Sequence, residues 1–168
     1  MNHSDTNVTT ITVETELGDF VVEGTDRFVT KVELPAGMLP RRIDVGRSAA
    51  VLTAAGQLRE YFAGTRTVFD VPLLSMGTPF QESVWKTLET ISYGTVESYG
   101  WVADRIGRPL SARPVGQALG KNPIAIFRPC HRVVAADGIG GFGGGVALKQ
   151  ALLALEGVSA NEALQSLS

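Results

Sequence analysis

One cysteine stands beside a histidine in this chain, and an arginine lies on either side of the pair. Cys130 is the only cysteine of the 168 residues, and His131 is one of two histidines. At a thiol pKa of about 8.5 only a few per cent is thiolate at neutral pH, so nucleophilic chemistry needs a neighbouring base or a positive field. His131, Arg128 and Arg132 offer both, and such polar side chains are not expected together in a dry core. The pattern predicts an accessible, reactive thiol.

The imidazole needs a partner of its own to act as a base. Neighbouring residues of an extended segment point to opposite faces, so we expect a water molecule to connect Cys130 to His131. A carboxylate on the second ring nitrogen would orient the imidazole. Few acids follow in the sequence, and Glu156 is the first candidate and Asp137 the second.

The single cysteine also limits the kinds of site that the chain can build. It excludes an internal disulfide, and one cysteine with two histidines cannot supply a usual four-ligand zinc site. No metal or cofactor motif is present, so we expect neither. The lone thiol fits a reducing cytoplasm, and no apolar run reaches the length of a membrane span. We therefore expect a cytoplasmic protein that makes no membrane contact.

The charges are distributed unevenly along the chain. The net charge is −2, and thirteen of the seventeen acidic residues lie in residues 1–97. Residues 105–132 contain no acid and six cations: Arg105, Arg108, Arg113, Lys121, Arg128 and Arg132. A local field matters more to a polyanion than net charge does. The segment predicts a basic face that could meet nucleic acid, with an ordinary solvated surface as the alternative.

The second half of the sequence predicts three short helices, each preceded by an N-capping side chain. They are 79–92 after Thr78, 99–106 after Ser98 and 114–119 after Ser111. The last two, joined by a tight turn inside the basic segment, resemble a helix-turn-helix, which docks its second helix on DNA.

The chain around and after the thiol is predicted as a strand, a loop and a final helix. Residues 124–127 are apolar and predict a buried strand, and residues 138–145 contain six glycines. A loop so rich in glycine can approach a ligand closely. A helix over 147–155 follows, and residues 159–168 read as a tail.

The first half predicts a sheet with one helix. Strands are expected at 10–14, 20–24 and 28–34, and apolar spacing predicts a helix over 48–62 with Ser48 as its N-cap. The predicted class is α+β (mixed α/β): an N-terminal antiparallel sheet with a helix over 1–73, and a mostly helical domain with a helix-turn-helix and the reactive cysteine over 78–158.

The segment Pro129-Cys130-His131-Arg132-Val133 resembles the reactive-site motif of the O6-alkylguanine-DNA alkyltransferases, which repair DNA by direct reversal. Further motifs of that family occur in the same order and at similar spacing. They are Thr78-Pro-Phe-Gln-Glu-Ser-Val-Trp85, Ser98-Tyr99, Ala112-Arg113 with Val115-Gly116, Gly120-Lys-Asn-Pro123 and Gly143-Gly-Gly145. The resemblance is dense over about 78–157 and only general in the first half.

The resemblance implies a role for each residue of the reactive centre. Cys130 would accept the alkyl group of O6-alkylguanine, and of O4-alkylthymine if that base is also a substrate. His131 would act as the base through water, Glu156 would orient it, Asn122 would brace the turn, and Tyr99 would donate a proton to the departing guanine. Because attack yields a thioether, each molecule would react once.

The resemblance also implies how DNA would be held. The protein, a monomer, would bind the minor groove of double-stranded DNA, and Arg113 would replace the flipped nucleotide in the base stack. The other implied DNA contacts are Ser98, Gln117, Lys121 and Arg128. The implied guanine pocket comprises Tyr99, Val133, Phe142 and Gly143.

The chain departs from the family pattern at several positions. Pro114 follows Arg113, Phe142 stands where tyrosine is usual, and Trp101 is an unusually bulky neighbour of Tyr99. Three other functions stay open: a relative that marks damaged guanine without accepting its alkyl group, a cysteine hydrolase, and a transcriptional regulator. Each alternative has an argument against it. Relatives that only mark the damage lack an acceptor cysteine, whereas Cys130 is present here. A hydrolase leaves the basic segment unexplained, and a regulator would have few base-reading side chains on its second helix.

Overall fold

The computed structural model describes residues 7–35 and 44–167. The chain divides into two compact units, Met1–Ser75 and Met76–Ser168. The first combines an antiparallel sheet with one helix, and the second consists mainly of helices. The predicted α+β class is confirmed. No helix within the described residues is long and apolar enough to cross a membrane.

The first unit is a three-stranded sheet covered by one helix. The strands pair antiparallel in the order in which they follow in the chain, with Val13 opposite Phe20 and both fully buried. Alternating β-branched and aromatic residues suit such a half-buried sheet. Their bounds are Thr9–Thr15 for β1, Gly18–Gly24 for β2 and Val29–Glu33 for β3.

Helix α1, Ala49–Phe62, begins where the sequence predicts. The hydroxyl of Ser48 accepts a hydrogen bond from the Val51 amide, which satisfies one of the free donors at the helix start. Its apolar side, including Leu58 and Tyr61, is buried and contacts the sheet. The helix therefore closes the core of this unit.

The second unit contains five helices and two very short strands among its described residues. The helices are α2, Pro79–Leu88; α3, Tyr99–Arg105; α4, Ala112–Gly120; α5, Val146–Leu155; and α6, Ala160–Gln165. The strands are β4, Glu97–Ser98, and β5, Val133–Val134. Thr78 and Gln81 form the predicted capping box of α2. The indole of Trp85 on α2 donates to the carbonyl of Ala118, 2.8 Å away, and so ties α2 to α4.

Helix α4 starts earlier than predicted and without the predicted cap. Ser111 makes no side-chain capping bond, because its backbone (φ −96°, ψ 31°) is not in the extended conformation that N-cap residues use. The preceding residue, Leu110, has φ 70°, so the tight turn between α3 and α4 is made by a strained backbone. Pro114 lies in the first turn, where its missing N–H costs no helical bond.

The predicted strand at 124–127 is wrong, although its burial is as expected. The segment forms a tight turn in which Ile126 has φ 74°. The Asn122 side chain imposes this shape, because its oxygen accepts from the Ile124 amide at 3.1 Å and its nitrogen donates to the Arg128 carbonyl at 2.8 Å. The Arg128 amide then donates to the Ile124 carbonyl and closes the turn.

The tail predicted from residue 159 is also wrong, because residues 160–165 form α6. Ser159 and Glu162 make a reciprocal capping box that starts the helix. Ala163 is buried against a cluster that includes Val134, Leu153 and Val158. The last helix therefore belongs to the core that supports β5.

Candidate active site

The parallel pairing of β4 with β5 brings the start of α3 to the cysteine segment. Ser98 pairs with Val134 and Glu97 with Val133. Tyr99 follows β4 directly, and Cys130 lies three residues before β5. Two residues far apart in sequence therefore face the same space.

That space is a cavity of about 310 Å³, within the range of small-molecule sites. Its walls come from three places: the thiol segment, helices α3 and α4, and the glycine-rich loop. The lining residues are Tyr99, Gly116, Leu119, Gly120, Cys130, Gly141, Phe142 and Gly143. Val133, which the sequence analysis included in the pocket, is not among them; it is fully buried in β5.

The cysteine lies at the start of a 3₁₀ turn, Cys130–Arg132, and not in the extended segment that we predicted. With about three residues per turn, neighbouring side chains diverge by about 120° and do not point to opposite faces. Burial raises the pKa of the thiol, while the Asn122 side chain and the charge of Lys149 oppose this. The Cys130 side chain nevertheless lines the cavity.

His131 is completely buried behind the thiol, and Glu156 holds it. Its Nε2 lies 2.8 Å from one carboxylate oxygen of Glu156, and Nδ1 is buried without a hydrogen-bond partner among the residues that the structure describes. Burial lowers the pKa of His131 and outweighs the opposing effect of Glu156. The neutral ring can therefore donate from Nε2 and keep a lone pair on Nδ1.

Arg132 shares the same carboxylate. Its Nε and Nη2 donate to Glu156 at 2.9 Å, and Nη1 donates to the Ile91 carbonyl at 2.6 Å. Burial would raise the pKa of Glu156, but the hydrogen bonds from His131 and Arg132 hold it at about 2. Glu156 is thus ionised, whereas Asp137, the second predicted partner, is exposed.

Tyr99 lines the same cavity, and the glycine-rich loop approaches it closely. Burial raises the pKa of Tyr99, and a backbone hydrogen bond from Gly141 opposes it. A Cβ added to Gly140, whose φ is 77°, would lie 2.5 Å from the Tyr99 hydroxyl. The loop approaches the ring this closely only because residue 140 has no side chain.

Lys149 on α5 is a residue of this site that our sequence analysis missed. Its side chain is fully buried, and Nζ donates to the carbonyls of Val133 at 2.6 Å and Gly141 at 3.1 Å. Burial lowers its pKa to about 8, against the opposing charge of Cys130. A signal was present, because residue 149 lies on one helical stripe with Leu152, Leu153 and Glu156, all buried.

The predicted DNA-contacting residues divide into two groups. Arg113, Gln117 and Lys121 are exposed on or just after α4, while the half-buried Ser98 caps α3 by accepting from the Trp101 amide. Arg128 is the remaining residue predicted to contact DNA. Its side chain is buried and donates to Glu89 at 2.9 Å, so the charge is used within the protein.

Comparisons with known proteins agree with one another. Residues 79–158 match the family described as 6-O-methylguanine DNA methyltransferase, DNA binding domain. A methylated-DNA–protein-cysteine methyltransferase from Mycobacterium bovis is 45% identical over 152 residues, which is 86% of this chain and 90% of that protein. The crystal structure of Mycobacterium tuberculosis O6-methylguanine methyltransferase has a TM-score of 0.77 at 43% identity and covers 89% of this chain and 92% of its own. The M. tuberculosis protein OGT in complex with DNA gives the same TM-score and identity, with coverage of 92% and 97%. This chain belongs to the methylated-DNA–protein-cysteine methyltransferases, the O6-alkylguanine-DNA alkyltransferase family of DNA repair enzymes.

Proposed function

We propose that this chain repairs O6-alkylguanine in double-stranded DNA by moving the alkyl group, methyl in the first instance, to Cys130. The observation that carries the proposal is the cavity that has Cys130 on one side and Tyr99 on another. The imidazole of the next residue, His131, is hydrogen-bonded to Glu156. Nucleophile, base and proton donor are thus arranged around a space that can hold a planar base.

The reaction is a displacement at the alkyl carbon. The sulfur of Cys130 forms the new S–C bond while the C–O6 bond of guanine breaks. The thiol proton passes through a water molecule to Nδ1 of His131, the buried nitrogen that has no hydrogen-bond partner within residues 7–35 and 44–167. The departing guanine takes a proton from the Tyr99 hydroxyl, as expected for a general acid. Glu156 stabilises the imidazolium that forms.

The protein acts once. The product is a thioether, and the sequence has no second cysteine that could remove the alkyl group. Each molecule is therefore a reagent consumed by one lesion.

The substrate base must leave the duplex to reach the thiol, because the alkyl carbon in a stacked pair is inaccessible to the cavity. Helix α4 presents the exposed Arg113 and Gln117 and forms part of the cavity wall through Gly116 and Leu119. We propose that α4 enters the minor groove and that Arg113 takes the place of the flipped nucleotide. The protein acts as a monomer in this scheme.

A mass measurement tests the proposal. After incubation with duplex DNA that contains O6-methylguanine, the peptide with Cys130 should gain about 14 Da, the mass of one added methylene, in a 1:1 ratio to repaired lesion. Cys130→Ser should show no gain and should retain DNA binding, because the substitution leaves α4 unchanged. An unmodified Cys130 peptide with bound DNA would indicate lesion recognition alone, and turnover of a small ester without DNA would indicate a hydrolase.

A further inference from the structure

We infer that Leu110, at the tip of the turn between α3 and α4, is an apolar wedge that enters the minor groove of DNA beside Arg113 and opens the base step next to the extruded nucleotide. The inference rests on the proposed function, because it adds a positioning contact to the complex in which α4 enters the groove. It starts from the surface of the protein. The relative exposure of Leu110 is 102%, so the fold buries none of this side chain.

The turn that carries Leu110 would be easier to build with another residue. The Ser111 amide donates to the Arg108 carbonyl at 3.2 Å, which closes a four-residue turn with Pro109 second and Leu110 third. Leu110 has φ 70°, the kind of value that the third position of a type II turn requires and that glycine or asparagine usually supplies. Leucine adopts it at a cost, because its Cβ comes too close to a carbonyl oxygen. The side chain therefore costs stability at this position and gains no burial in return.

The neighbours of Leu110 favour DNA as the partner of this side chain. Arg108 and Arg113, two residues before it and three residues after it, are both exposed, and residues 105–132 contain no acid. A stable protein interface buries about 800 Å² on each partner, far more than one leucine offers. Proteins that bind the minor groove combine cations with single apolar side chains, leucine among them, that press between base steps.

Leu110 is carried by the same element as Arg113 and part of the cavity wall. Helix α4 begins two residues after Leu110, and Gly116 of this helix lines the cavity. The hydrogen bond from the Trp85 indole to the Ala118 carbonyl ties the helix to α2. When α4 enters the groove, the tip therefore arrives together with Arg113. The arginine fills the gap in the stack, and the leucine holds the neighbouring step open.

Leu110→Asn tests the inference without a risk to folding. Asparagine tolerates positive φ, so we expect a melting temperature equal to or higher than that of the parent. Affinity for a duplex with one O6-methylguanine, measured in the Cys130→Ser background so that no transfer occurs, should fall about tenfold, the scale expected for one apolar side chain left in water. With Cys130 present, transfer from the duplex should slow by a similar factor, whereas reaction with free O6-benzylguanine should keep its rate.

Two further variants serve as controls. Leu110→Met keeps an apolar side chain of similar size and should retain the duplex affinity and rate. Met76→Asn removes another apolar side chain, 96% exposed and outside the basic segment, and should match the parent in both measurements.

The salt dependence of binding separates an apolar contact from a phosphate contact. The logarithm of the binding constant falls with the logarithm of the salt concentration, with a slope set by the number of phosphates that the protein neutralises. In Leu110→Asn the affinity should fall by the same factor at every salt concentration, so the slope should stay that of the parent. A shallower slope would mean that the substitution acts through the arginines, and it overturns the inference.

Parental affinity and duplex rate in Leu110→Asn also overturn the inference, and so does a lower melting temperature with an equal loss on duplex and free base. A failure of the wild-type protein to methylate Cys130 would instead count against the proposed function. The binding comparison in the Cys130→Ser background needs no transfer, so it would still decide the role of Leu110.

Discussion

The carboxylate of Glu156 is divided between an imidazole and a guanidinium, and this division decides the protonation state of each residue. Arg132 makes several charge-assisted bonds to Glu156, so the carboxylate stays ionised without requiring a proton on His131. His131 remains neutral and keeps the lone pair that a base needs. Arg132 therefore serves to keep Glu156 ionised inside the protein, whereas the sequence suggested only that it belongs to a basic surface.

We predict that acid destabilises the protein in two stages. Burial lowers the pKa of His131 below 6.5, so the unfolded chain takes up a proton that the folded chain does not, and stability falls as the pH drops below about 6.5. The pKa of Glu156 falls from 4.5 to about 2, so its contribution, up to about 3 kcal/mol, is lost as the pH falls from about 4.5 to 2. Thermal unfolding from pH 8 to 2 measures both stages. In Glu156→Gln the second stage should shrink, and a wild-type melting temperature that stays constant from pH 7 to 4 would contradict the prediction.

The two short strands and the glycine-rich loop do more to build the site than their length suggests. The β4–β5 pairing has two residues on each side, yet it sets Tyr99 beside the reactive turn. The loop then closes the cavity through Gly140 and Gly141, which contact Tyr99 directly. The position of Tyr99 thus depends on backbone that carries no side chain.

We predict that Gly140→Ala impairs alkyl transfer while Gly138→Ala does not. The new Cβ at 140 would lie 2.5 Å from the Tyr99 hydroxyl, and its φ of 77° costs a residue with a side chain about 1–2 kcal/mol. At 138 an added Cβ meets nothing within 4 Å. Single-turnover transfer from O6-methylguanine DNA and the melting temperature give the readouts. Equal rates in the two variants would show that the close approach to Tyr99 is not needed.

The sequence predicted the elements whose signals are local. The capping side chains of Thr78 and Ser48 and the apolar spacing of 48–62 located α2 and α1 to within a residue at their starts. What failed depended on distant partners: the turn at 124–127 is imposed by the Asn122 side chain, and the packing of Ala163 converts a polar tail into α6. The burial of Arg128 and Lys149 could not be predicted from the sequence either, because their hydrogen-bond partners are far away in the chain.

At the scale of the whole molecule, the basic segment serves two purposes. Arg105, Arg108, Arg113 and Lys121 are exposed, whereas Arg128 and Arg132 are buried and paired with acids. The face offered to a polyanion is therefore formed by fewer cations than the sequence suggests. Its field still acts locally, so an overall charge of −2 does not prevent DNA binding.

We predict that alanine at two of these arginines has different effects: at Arg113 it slows repair, and at Arg128 it lowers the stability. Arg113→Ala should slow repair of duplex DNA at least tenfold and leave reaction with free O6-benzylguanine nearly unchanged, because the free base needs no extrusion. Arg128→Ala should lower the stability by about 2 kcal/mol, since it removes a buried partner of Glu89. Repair rates on both substrates and urea unfolding measure the two effects. An equal loss on both substrates in Arg113→Ala would remove the argument for base extrusion.

The indole that binds α2 to α4 has a practical consequence for following this protein in solution. The chain has two tryptophans, Trp85 and Trp101, and both lie in the second unit. Trp85 is buried against α4, while Trp101 is half-buried on α3 with the Arg105 guanidinium 4.7 Å from its ring. Selectively excited tryptophan fluorescence therefore reports on the second unit alone, and a different signal, such as circular dichroism in the strand region, is needed to follow melting of the sheet.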